Sequence, residues 1–503
     1  VCSSDLGASM PYGMVQLSAD TRLGGWDGAS GYHYSDSVIY GFSHTALSGT
    51  GVGDYGDILV MPVRGLPDFS PEAYKSFFRK ETEKAWPGYY SVFLDKPGVL
   101  AEHTVSTRGG FHRYHFEEGD LPGIIIDLEH RDRVTDAWIE LVGDRRIRGM
   151  RRSSNWAEDL VWYFHMEFSQ AFTAYGIAVA DSLIDGLKHA RGTQIKAWLG
   201  FEPGEEPLEI RVGLSAVDSQ GALANLNAEL GQQSFEDTKE AARQAWNKEL
   251  GRIRVSGGSP EQMRVFYTAM YHAMLQPNTF MDTDRRYRGM DRRIHLAEGF
   301  DNYTVFSLWD TYRTWHPLMT LIDTRRSLDY IKVMLNMYQQ GGLLPVWELA
   351  ANETHTMIGY HSVSVIADAW IKGLDDFDQE LAMEAMLHSA TRDHFGLEAF
   401  RRHGYIPGHL EHESVSKTLE YAYNDWCIAQ VARLKGREDI YREYIRRAQY
   451  WKNLFDPESG FIRPKINGGR VEPFDPTRVD WHYTEANAWQ YTFYVPHDIN
   501  TLI

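Results

Sequence analysis

The sequence has little of what marks several protein classes. Its two cysteines, Cys2 and Cys427, are too few for a disulfide framework. It has no run of about 18 apolar residues, so it predicts no membrane span. Basic residues are in deficit, because 51 Lys and Arg stand against 69 Asp and Glu and give a net charge of −18. That deficit excludes a polyanionic partner such as nucleic acid, which needs a basic face.

Two hydrolase signatures are absent as well. No G-x-S-x-G elbow is present to carry a serine nucleophile, and the segment HLEHES does not form the H-E-x-x-H of a zinc protease. Cys427 lies in the apolar helical run YAYNDWCIAQVA and is predicted to be a small buried residue, not a nucleophile. Aromatic residues are plentiful at 13%, with 15 Trp and 28 Tyr, which suits carbohydrate binding as well as a large core.

The pattern of the chain changes after Val217, and 503 residues exceed what one hydrophobic core usually serves. Before that point, short β-rich runs separated by Gly, Pro and Asp favour a β-sandwich. The predicted strands are 57–63, 89–94, 100–107, 110–117, 123–130, 162–169, 193–201 and 208–217. We predict a sandwich domain over 7–225 and a helical domain over 226–503. An arginine-rich run within 145–152 is predicted to be a solvated hairpin edge.

Helical periodicity dominates the second half. Ser259, Pro260 and Gln262 form the start signal of a helix, as N-cap, first residue and capping-box partner. Apolar spacing predicts further helices over 234–253, 305–322, 361–373, 416–436 and 440–455. Their pairing predicts an α/α toroid or bundle. The overall fold class is therefore α+β with two domains.

The segment WHYTEANAWQYTF at 481–493 is the strongest candidate for a site. It surrounds one carboxylate, Glu485, with five aromatic residues and two amides, Asn487 and Gln490. Aromatic faces stack on sugar C–H faces, and Trp489 is a candidate for such a contact. Rings around Glu485 would desolvate its carboxyl group, raise its pKa and make it a proton donor. The alternative is an amphipathic helix with Glu485 in its first turn.

Four other segments hold candidate sugar-binding residues, each with a structural alternative. The Gly-rich loop around 24–57 presents Trp26, or forms tight turns of the sandwich. The segment SLWDTYR places Asp310 and Arg313 on one helix, where they clamp hydroxyls or form an ion pair. The loop GGLLPVWELAANETHTMIGYHS groups several polar and aromatic side chains, and Asn352 also begins a glycosylation sequon. Glu413 binds ligand, or favours a helix dipole. The loop's candidates are Trp347, Glu348, Asn352, Glu353 and His361.

Long blocks of the sequence closely resemble glycoside hydrolase family 92, the bacterial calcium-dependent exo-α-mannosidases. The similarity extends from about Gly7 to Ile503. The blocks are PYGMVQLSADT, SGYHYSDSVIYGFSHTALSGTGVGDYGDILVMP, FSLWDTYRTWHPL, GGLLPVWELAANETHTMIGYHSV, ESVSKTLEYAYNDWCIAQ and VEPFDPTRVDWHYTEANAWQYTFYVPHD. The resemblance implies an N-terminal β-sandwich packed on an (α/α)6 toroid, with the active site at their junction.

The resemblance also implies a reaction: inverting hydrolysis of a terminal α-linked mannose from N-glycans or mannan. Glu485, in the family's T-E-x-N-A-W-Q-Y pattern, would be the general acid. Asp310 would hold sugar hydroxyls in the −1 subsite, Trp26 would reach the same sugar, and a Ca²⁺ ion would bind its 2- and 3-hydroxyls. The full set of predicted substrate-binding residues is Trp26, Asp310, Arg313, Trp347, Glu348, Asn352, Glu353, His361, Glu413, Trp489 and Gln490.

Two family blocks are missing before Ile503: an H-G-N-E-P block linked to calcium, and a G-N-[DE]-D-C-G-Q-M-S block that supplies the base. The resemblance therefore implies a partial toroid, no metal ligand set within this chain, and no activity for the chain by itself. We expect export to the periplasm or medium, although no signal peptide is visible. The opening VCSSDL is unrelated to the rest of the chain. Two alternatives stay open: a non-catalytic mannose-binding protein, and another toroidal glycosidase or phosphorylase acting on a different sugar.

Overall fold

A computed structural model describes residues 7–49, 51–66 and 68–503. Cys2 and the rest of VCSSDL lie outside those residues. The chain divides into two compact units: the first contains residues up to Val305 together with Leu349–Asn352, and the second contains Phe306–Glu348 and Glu353–Ile503. The first unit extends well past the predicted boundary at 225/226.

The first unit is built on two antiparallel sheets of eight and nine strands. In spatial order the eight-stranded sheet contains Ala8–Ser9, Gln16–Asp20, Gly41–Ser43, Leu59–Arg64, Pro122–Asp127, Ile195–Phe201, Phe172–Val179 and Ser182–Asp185. The nine-stranded sheet contains His189–Gly192, Arg133–Val142, Arg146–Ser154, Leu160–Phe168, Leu208–Ser215, Gly109–Phe116, Val99–Val105, Tyr89–Leu94 and Lys84–Trp86. Shorter strands in this unit are Val38–Ile39, Ser76–Phe77, Asn278–Thr279, Arg286–Arg288, Ile294–Leu296 and Tyr303–Thr304.

Burial explains why the apolar runs of this half become strands. All six residues of Pro122–Asp127 are buried, and Ile125 pairs with Met61 on one side and Trp198 on the other. A strand that is covered on both faces has a continuous apolar sequence, and the segment GIIID has this pattern. All eight predicted strands are present, and their predicted ends lie within three residues of the observed ends.

The predicted solvated edge at 145–152 is wrong. Its residues form the strand Arg146–Ser154, which lies third from one edge of the nine-stranded sheet. Arg151 is fully buried, and its guanidinium forms ion pairs with Asp57 and Asp132. The positive charge of the run suggested that its arginines are exposed. The guanidinium of Arg151 can be buried because carboxylates from distant positions in the sequence pair with it.

Three buried histidines lie in the core between the sheets. Nε2 of His44 is 2.9 Å from Nε2 of His112, whose Nδ1 is 2.8 Å from the hydroxyl of Tyr114. The ring of His103 lies 4.1 Å from that of Phe42, and neither of its nitrogens has a hydrogen-bond partner among the described residues. Burial lowers the pKa of His103 to about 3 and that of His44 to about 4.

We expect replacement of His103 by Phe to flatten the pH dependence of stability. An unfolded histidine binds a proton below about pH 6.5, whereas folded His103 does not until about pH 3. For this residue the folded state therefore loses about 1.4 kcal/mol of stability per pH unit as pH falls from about 6.5 to about 3. Denaturant unfolding between about pH 4 and 5.5 should show a slope smaller by that amount in His103→Phe. Exposed His189→Phe is the control, and parallel pH curves would contradict the expectation.

The first unit also contains four helices: α1 Pro71–Tyr74, α2 Ser219–Glu229, α3 Phe235–Leu250 and α4 Pro260–Ala273. The predicted capping box at the start of α4 is confirmed, because Ser259 and Gln262 bond reciprocally to each other's backbone. The helix α2, after N-cap Asp218, was not predicted. Its sequence mixes Gly, Asn and Ala and has no clear apolar stripe.

The second unit is mainly helical. Its helices are α5 Leu308–Thr311, α6 Trp315–Ile322, α7 Thr324–Gly341, α8 Ser362–Ile371, α9 Gln379–Thr391, α10 Leu397–His403, α11 Ser414–Leu434, α12 Glu438–Arg447, α13 Ala488–Thr492 and α14 Ile499–Leu502. Short strands begin at residues 306, 347, 352, 455, 461, 465 and 469. Among the residues described, no helix is long and apolar enough to cross a membrane. The chain thus has a mixed α/β fold with an N-terminal β domain and a helical C-terminal domain.

Candidate functional site

The second unit contains a cavity of about 270 Å³ that brings two predicted site residues together. Glu413 lines it from the start of α11, and Glu485 lines it from the segment before α13. Lys417 lies in the same wall, as do His355 and Met357 of the loop that follows α7. Two carboxylates and a cation therefore face one small volume.

The backbone around this cavity is unusual. Five of its lining residues, none of them glycine, have φ between 45° and 67°: His355, Met357, Phe395, Glu413 and Glu485. Each left-handed residue of this kind costs on the order of 1 kcal/mol and persists only where its surroundings impose it. Such strain concentrates at functional sites, so the backbone independently favours this cavity as one.

Hydrogen bonds to the first turn of α11 place Glu485. The N–H of Thr484 donates to Oγ of Ser416 at 2.9 Å, and the N–H of Val415 donates to the carbonyl of His482 at 3.1 Å. Residues 482–484 therefore run beside the helix start. Glu413 and Glu485 consequently reach the cavity from adjacent segments although 72 positions separate them in the sequence.

The predicted desolvation of Glu485 by neighbouring rings is wrong for the structure described, in which Glu485 is exposed. Tyr483 and Tyr491 are buried in a separate apolar core, while Trp481 and Trp489 are 69% and 50% exposed. The alternative of a helix with Glu485 in its first turn is also wrong, since α13 begins only at residue 488.

The amides of this segment have a structural role. Asn487 is the N-cap of α13, its side chain accepts from the N–H of Gln490, and the Gln490 side chain accepts from the N–H of Asn487. This capping box occupies the Gln490 carbonyl that was predicted to bind sugar. Trp489 remains available, with its ring edge-on to Phe461 at 4.8 Å between centroids.

Charged neighbours hold Glu413. Nζ of Lys417 lies 2.8 Å from Oε1 of Glu411 and 3.7 Å from Oε2 of Glu413, and Nε2 of His412 lies 3.3 Å from the same Glu413 oxygen. Glu413 is also the residue that precedes α11, but its side chain makes no capping bond. Glu413 thus both lines the cavity and stands at the N-terminus of α11, so its position is compatible with either predicted role.

Asp310 and Arg313 do not share a helix, contrary to the prediction. α5 ends at Thr311, and both side chains are exposed. Asp310 accepts a hydrogen bond from the Ser307 hydroxyl, whereas Arg313 lies over the ring of Tyr494 at 5.7 Å. Among the described residues no ion pair joins the two, so the predicted helix-face pair is absent.

Glu353 organises the loop that lines the cavity. Its carboxylate accepts from the backbone N–H groups of Val346, Trp347 and His355 at 2.7, 3.0 and 2.8 Å. Trp347 is buried, and Glu348 is completely buried. Glu353 therefore holds the shape of the loop, and none of these three predicted sugar-binding residues lines the cavity.

Asn352 belongs to the first unit and is buried there. Its amide donates to the carbonyls of Asp159, Leu349 and Ala350 and accepts from the N–H of Asp159. The amide is thus engaged with the backbone of its own unit, and its burial argues against use of the sequon. Binding of substrate by Asn352 stays a prediction.

His361 is 1% exposed and lies beneath the cavity wall instead of in it. Its ring stacks on Tyr312 at 3.8 Å between centroids and 8° between planes. Its Nε2 lies 3.0 Å from Oε2 of the buried Glu420. In the structure described His361 belongs to a buried network and not to the cavity lining, and its contact with substrate stays a prediction.

Trp26 lies in the first unit and is 77% exposed. Its ring covers Gly51, where an added Cβ would stand 2.6 Å from the indole. The loop is also held by Arg131, against which Gly31 and Gly56 pack so closely that neither position has room for a Cβ. The glycines therefore serve close approach, as the Gly-rich pattern indicates.

The sequence gives no signal for Glu420 or Thr484, although both matter here. A glutamate inside a helix usually lies in solvent, and only the tertiary fold buries Glu420. Cys427 agrees with its prediction, since it is buried and burial raises its thiol pKa to about 12. Within the described part of the chain, no group of three or more His, Cys, Asp or Glu could hold a metal ion.

Two carboxylates at one cavity are the pair of groups that glycoside hydrolases use. The chain belongs to glycosyl hydrolase family 92: the model of the family's N-terminal domain matches residues 5–215, and the model of its catalytic domain matches residues 221–503.

Solved structures agree with this assignment. A family 92 α-mannosidase from Bacteroides thetaiotaomicron is 37% identical over 99% of this chain and 70% of its own, with a TM-score of 0.95. The same enzyme in complex with mannoimidazole is 36% identical over 100% of this chain and 70% of its own, with a TM-score of 0.96. A family 92 inverting mannosidase from that organism is 31% identical over 99% and 69%, with a TM-score of 0.93. An uncharacterized secreted glycosidase from Arthroderma benhamiae is 26% identical over 99% and 69%.

Proposed function

We propose that this protein is an inverting exo-α-mannosidase that releases terminal mannose from α-mannosides such as N-glycans or mannan. The observation that carries the proposal is the cavity of the second unit, where Glu485 and Glu413 meet on strained backbone. The relatives described as α-mannosidases, one of them inverting, support the sugar and the stereochemistry. The similarity to those enzymes does not favour the two alternatives, a non-catalytic mannose-binding protein and another toroidal glycosidase.

Glu485 is the proposed general acid. Its proton passes to the glycosidic oxygen, the bond from C1 to that oxygen breaks, and the leaving alcohol departs neutral. Glu485 is exposed in the structure described, and a sugar filling the cavity would displace water from it. The carboxylate of Glu413 can accept hydrogen bonds from sugar hydroxyls. Water attacks C1 from the opposite face, its oxygen becomes the anomeric hydroxyl of mannose, and the proton that it loses passes to a general base.

The family resemblance implies a calcium ion, but no step of this mechanism depends on one. The described residues do not offer a set of His, Cys, Asp and Glu that fits a metal ion. We also assign no catalytic base among them. Export of the protein is a further part of the proposal and is supported by the secreted relative from Arthroderma benhamiae.

The stereochemical outcome tests the function directly. Proton NMR of a digest of methyl α-mannobioside, with calcium present, should show β-mannose as the first product before mutarotation, because inversion at C1 converts the α-linkage to β. The leaving sugar should appear at the same rate. Release of α-mannose first, or faster hydrolysis of gluco-configured substrates, would contradict the proposal.

A further inference from the structure

A buried network joins three segments of the second unit, each of which carries a candidate site residue. Glu420 is 2% and His361 1% exposed. Oε1 of Glu420 accepts from the indole N–H of Trp309 at 3.0 Å, next to Asp310. Glu413 lies about two helical turns before Glu420, immediately before the start of α11. Gly359 of the cavity wall packs against the His361 ring.

The hydrogen bonds of Asn424 define the protonation of His361. The N–H of Tyr360 donates to Oδ1 of Asn424 at 2.9 Å, which leaves Nδ2 as the donor toward Nδ1 of His361 at 3.0 Å. Nδ1 is therefore an acceptor, and the ring proton is on Nε2. Nε2 faces Oε2 of Glu420 at 3.0 Å, although its N–H is not aligned with that oxygen.

The hydrogen bonds of Asn424 fix one assignment of donors and acceptors around His361. If Glu420 became an amide, its NH2 group would face the His361 Nε2–H. Moving the ring proton to Nδ1 would relieve that conflict but would create another with the NH2 group of Asn424. The carboxylate at 420 and the amide at 424 are thus matched through the histidine.

We propose that Glu420, His361 and Asn424 form a positioning network that fixes the Trp309–Asp310 turn and the wall of the cavity at 359. Its contribution to the reaction rests on the proposed function. Glu420 touches no substrate, so its effect on rate comes from holding Asp310, and through it the sugar, in place. Displacement of a binding group by about 1 Å can cost about 10²-fold in rate.

Exchange of the two side chains tests the proposal. Glu420→Gln alone should lower kcat/KM by about 10²-fold for both good and poor leaving groups, since it disturbs sugar placement and not proton transfer. In the double variant Glu420→Gln/Asn424→Asp, the carboxylate stands at position 424 and the amide at position 420. The His361 proton can then lie on Nδ1 and be donated to the carboxylate at 424, while Nε2 accepts a hydrogen bond from the amide at 420. We expect it to recover to within about tenfold of the parent.

Hydrogen exchange by mass spectrometry supplies a readout that needs no activity. Backbone amides of 307–314 and 358–363 should exchange faster in Glu420→Gln and return toward the parent rate in the double variant. Parent-like exchange and activity in Glu420→Gln, or a folded double variant no better than the single one, would overturn the network. Absence of α-mannosidase activity from the full-length protein would sink the proposed function, and the exchange data would still decide the positioning role.

Discussion

Glu485→Gln should lower kcat/KM on an α-mannobioside by about 10²–10⁴-fold, the usual contribution of a general acid. The leaving sugar is a poor leaving group, and an amide cannot give it a proton. Glu485 is exposed and on strained backbone, so the substitution removes no buried contact, and the melting temperature should not change.

A matched control separates chemistry from charge. Glu458 is an exposed glutamate of the same unit that does not line the cavity, and Glu458→Gln should retain full activity. Equal losses in the two variants would mean that a general loss of negative charge, not the loss of an acid, lowers the rate. Full activity of Glu485→Gln on the mannobioside would remove Glu485 from the acid role.

Arg447→Met should destabilise the protein by about 3–5 kcal/mol, the usual cost of leaving a buried carboxylate unpaired. The side chains of Arg447 and Asp425 are 2% and 0% exposed, and Nε lies 2.7 Å from Oδ2. The guanidinium also donates to the carbonyl of Ala390 at 2.9 Å. Urea unfolding of the variant against the parent measures the loss.

The pH dependence of that loss has a defined sign. Burial raises the pKa of Asp425 to about 6 even though Arg447 opposes the rise, and removal of Arg447 should raise it further. The folded state keeps the Asp425 carboxyl protonated at pH values where the unfolded state, with a pKa near 4, has lost that proton. The folded state is therefore favoured as pH falls. The destabilisation of Arg447→Met should therefore be smaller at pH 5 than at pH 8.

Two further variants make this prediction falsifiable. Arg437 is exposed, and Arg437→Met should change stability by no more than about 0.5 kcal/mol. The double variant Arg447→Met/Asp425→Leu should recover most of the loss, because neither charge is then buried alone. Equal destabilisation by Arg447→Met at both pH values would contradict the account of Asp425.

The strands of the first unit were predictable because burial on both faces gives short apolar runs between Gly and Pro signals, as in Pro122–Asp127. The helix over 305–322 was predicted as one piece, since apolar spacing does not reveal that α5 stops at Thr311. α2 was missed because Gly221 and its neighbours bury a face without a regular apolar pattern.

The candidate site was predictable in its chemistry and not in its geometry. Family blocks indicated Glu485 and Glu413, and the structure places both at one cavity. The burial of His361 and Asn352 and the capping role of Gln490 depend on partners distant in sequence or on exact turn geometry. No local pattern distinguishes a polar residue that binds a ligand from one that bonds its own fold.

The leaving-group dependence of the rate tests the role of Glu485 most directly. In a series of aryl α-mannosides, log kcat/KM of the parent should change little with the pKa of the departing phenol, because Glu485 protonates every leaving oxygen. For Glu485→Gln the line should be steep and should meet the parent's line at the most acidic phenols, which need no proton. Parallel lines for the two proteins would contradict Glu485 as the proton donor.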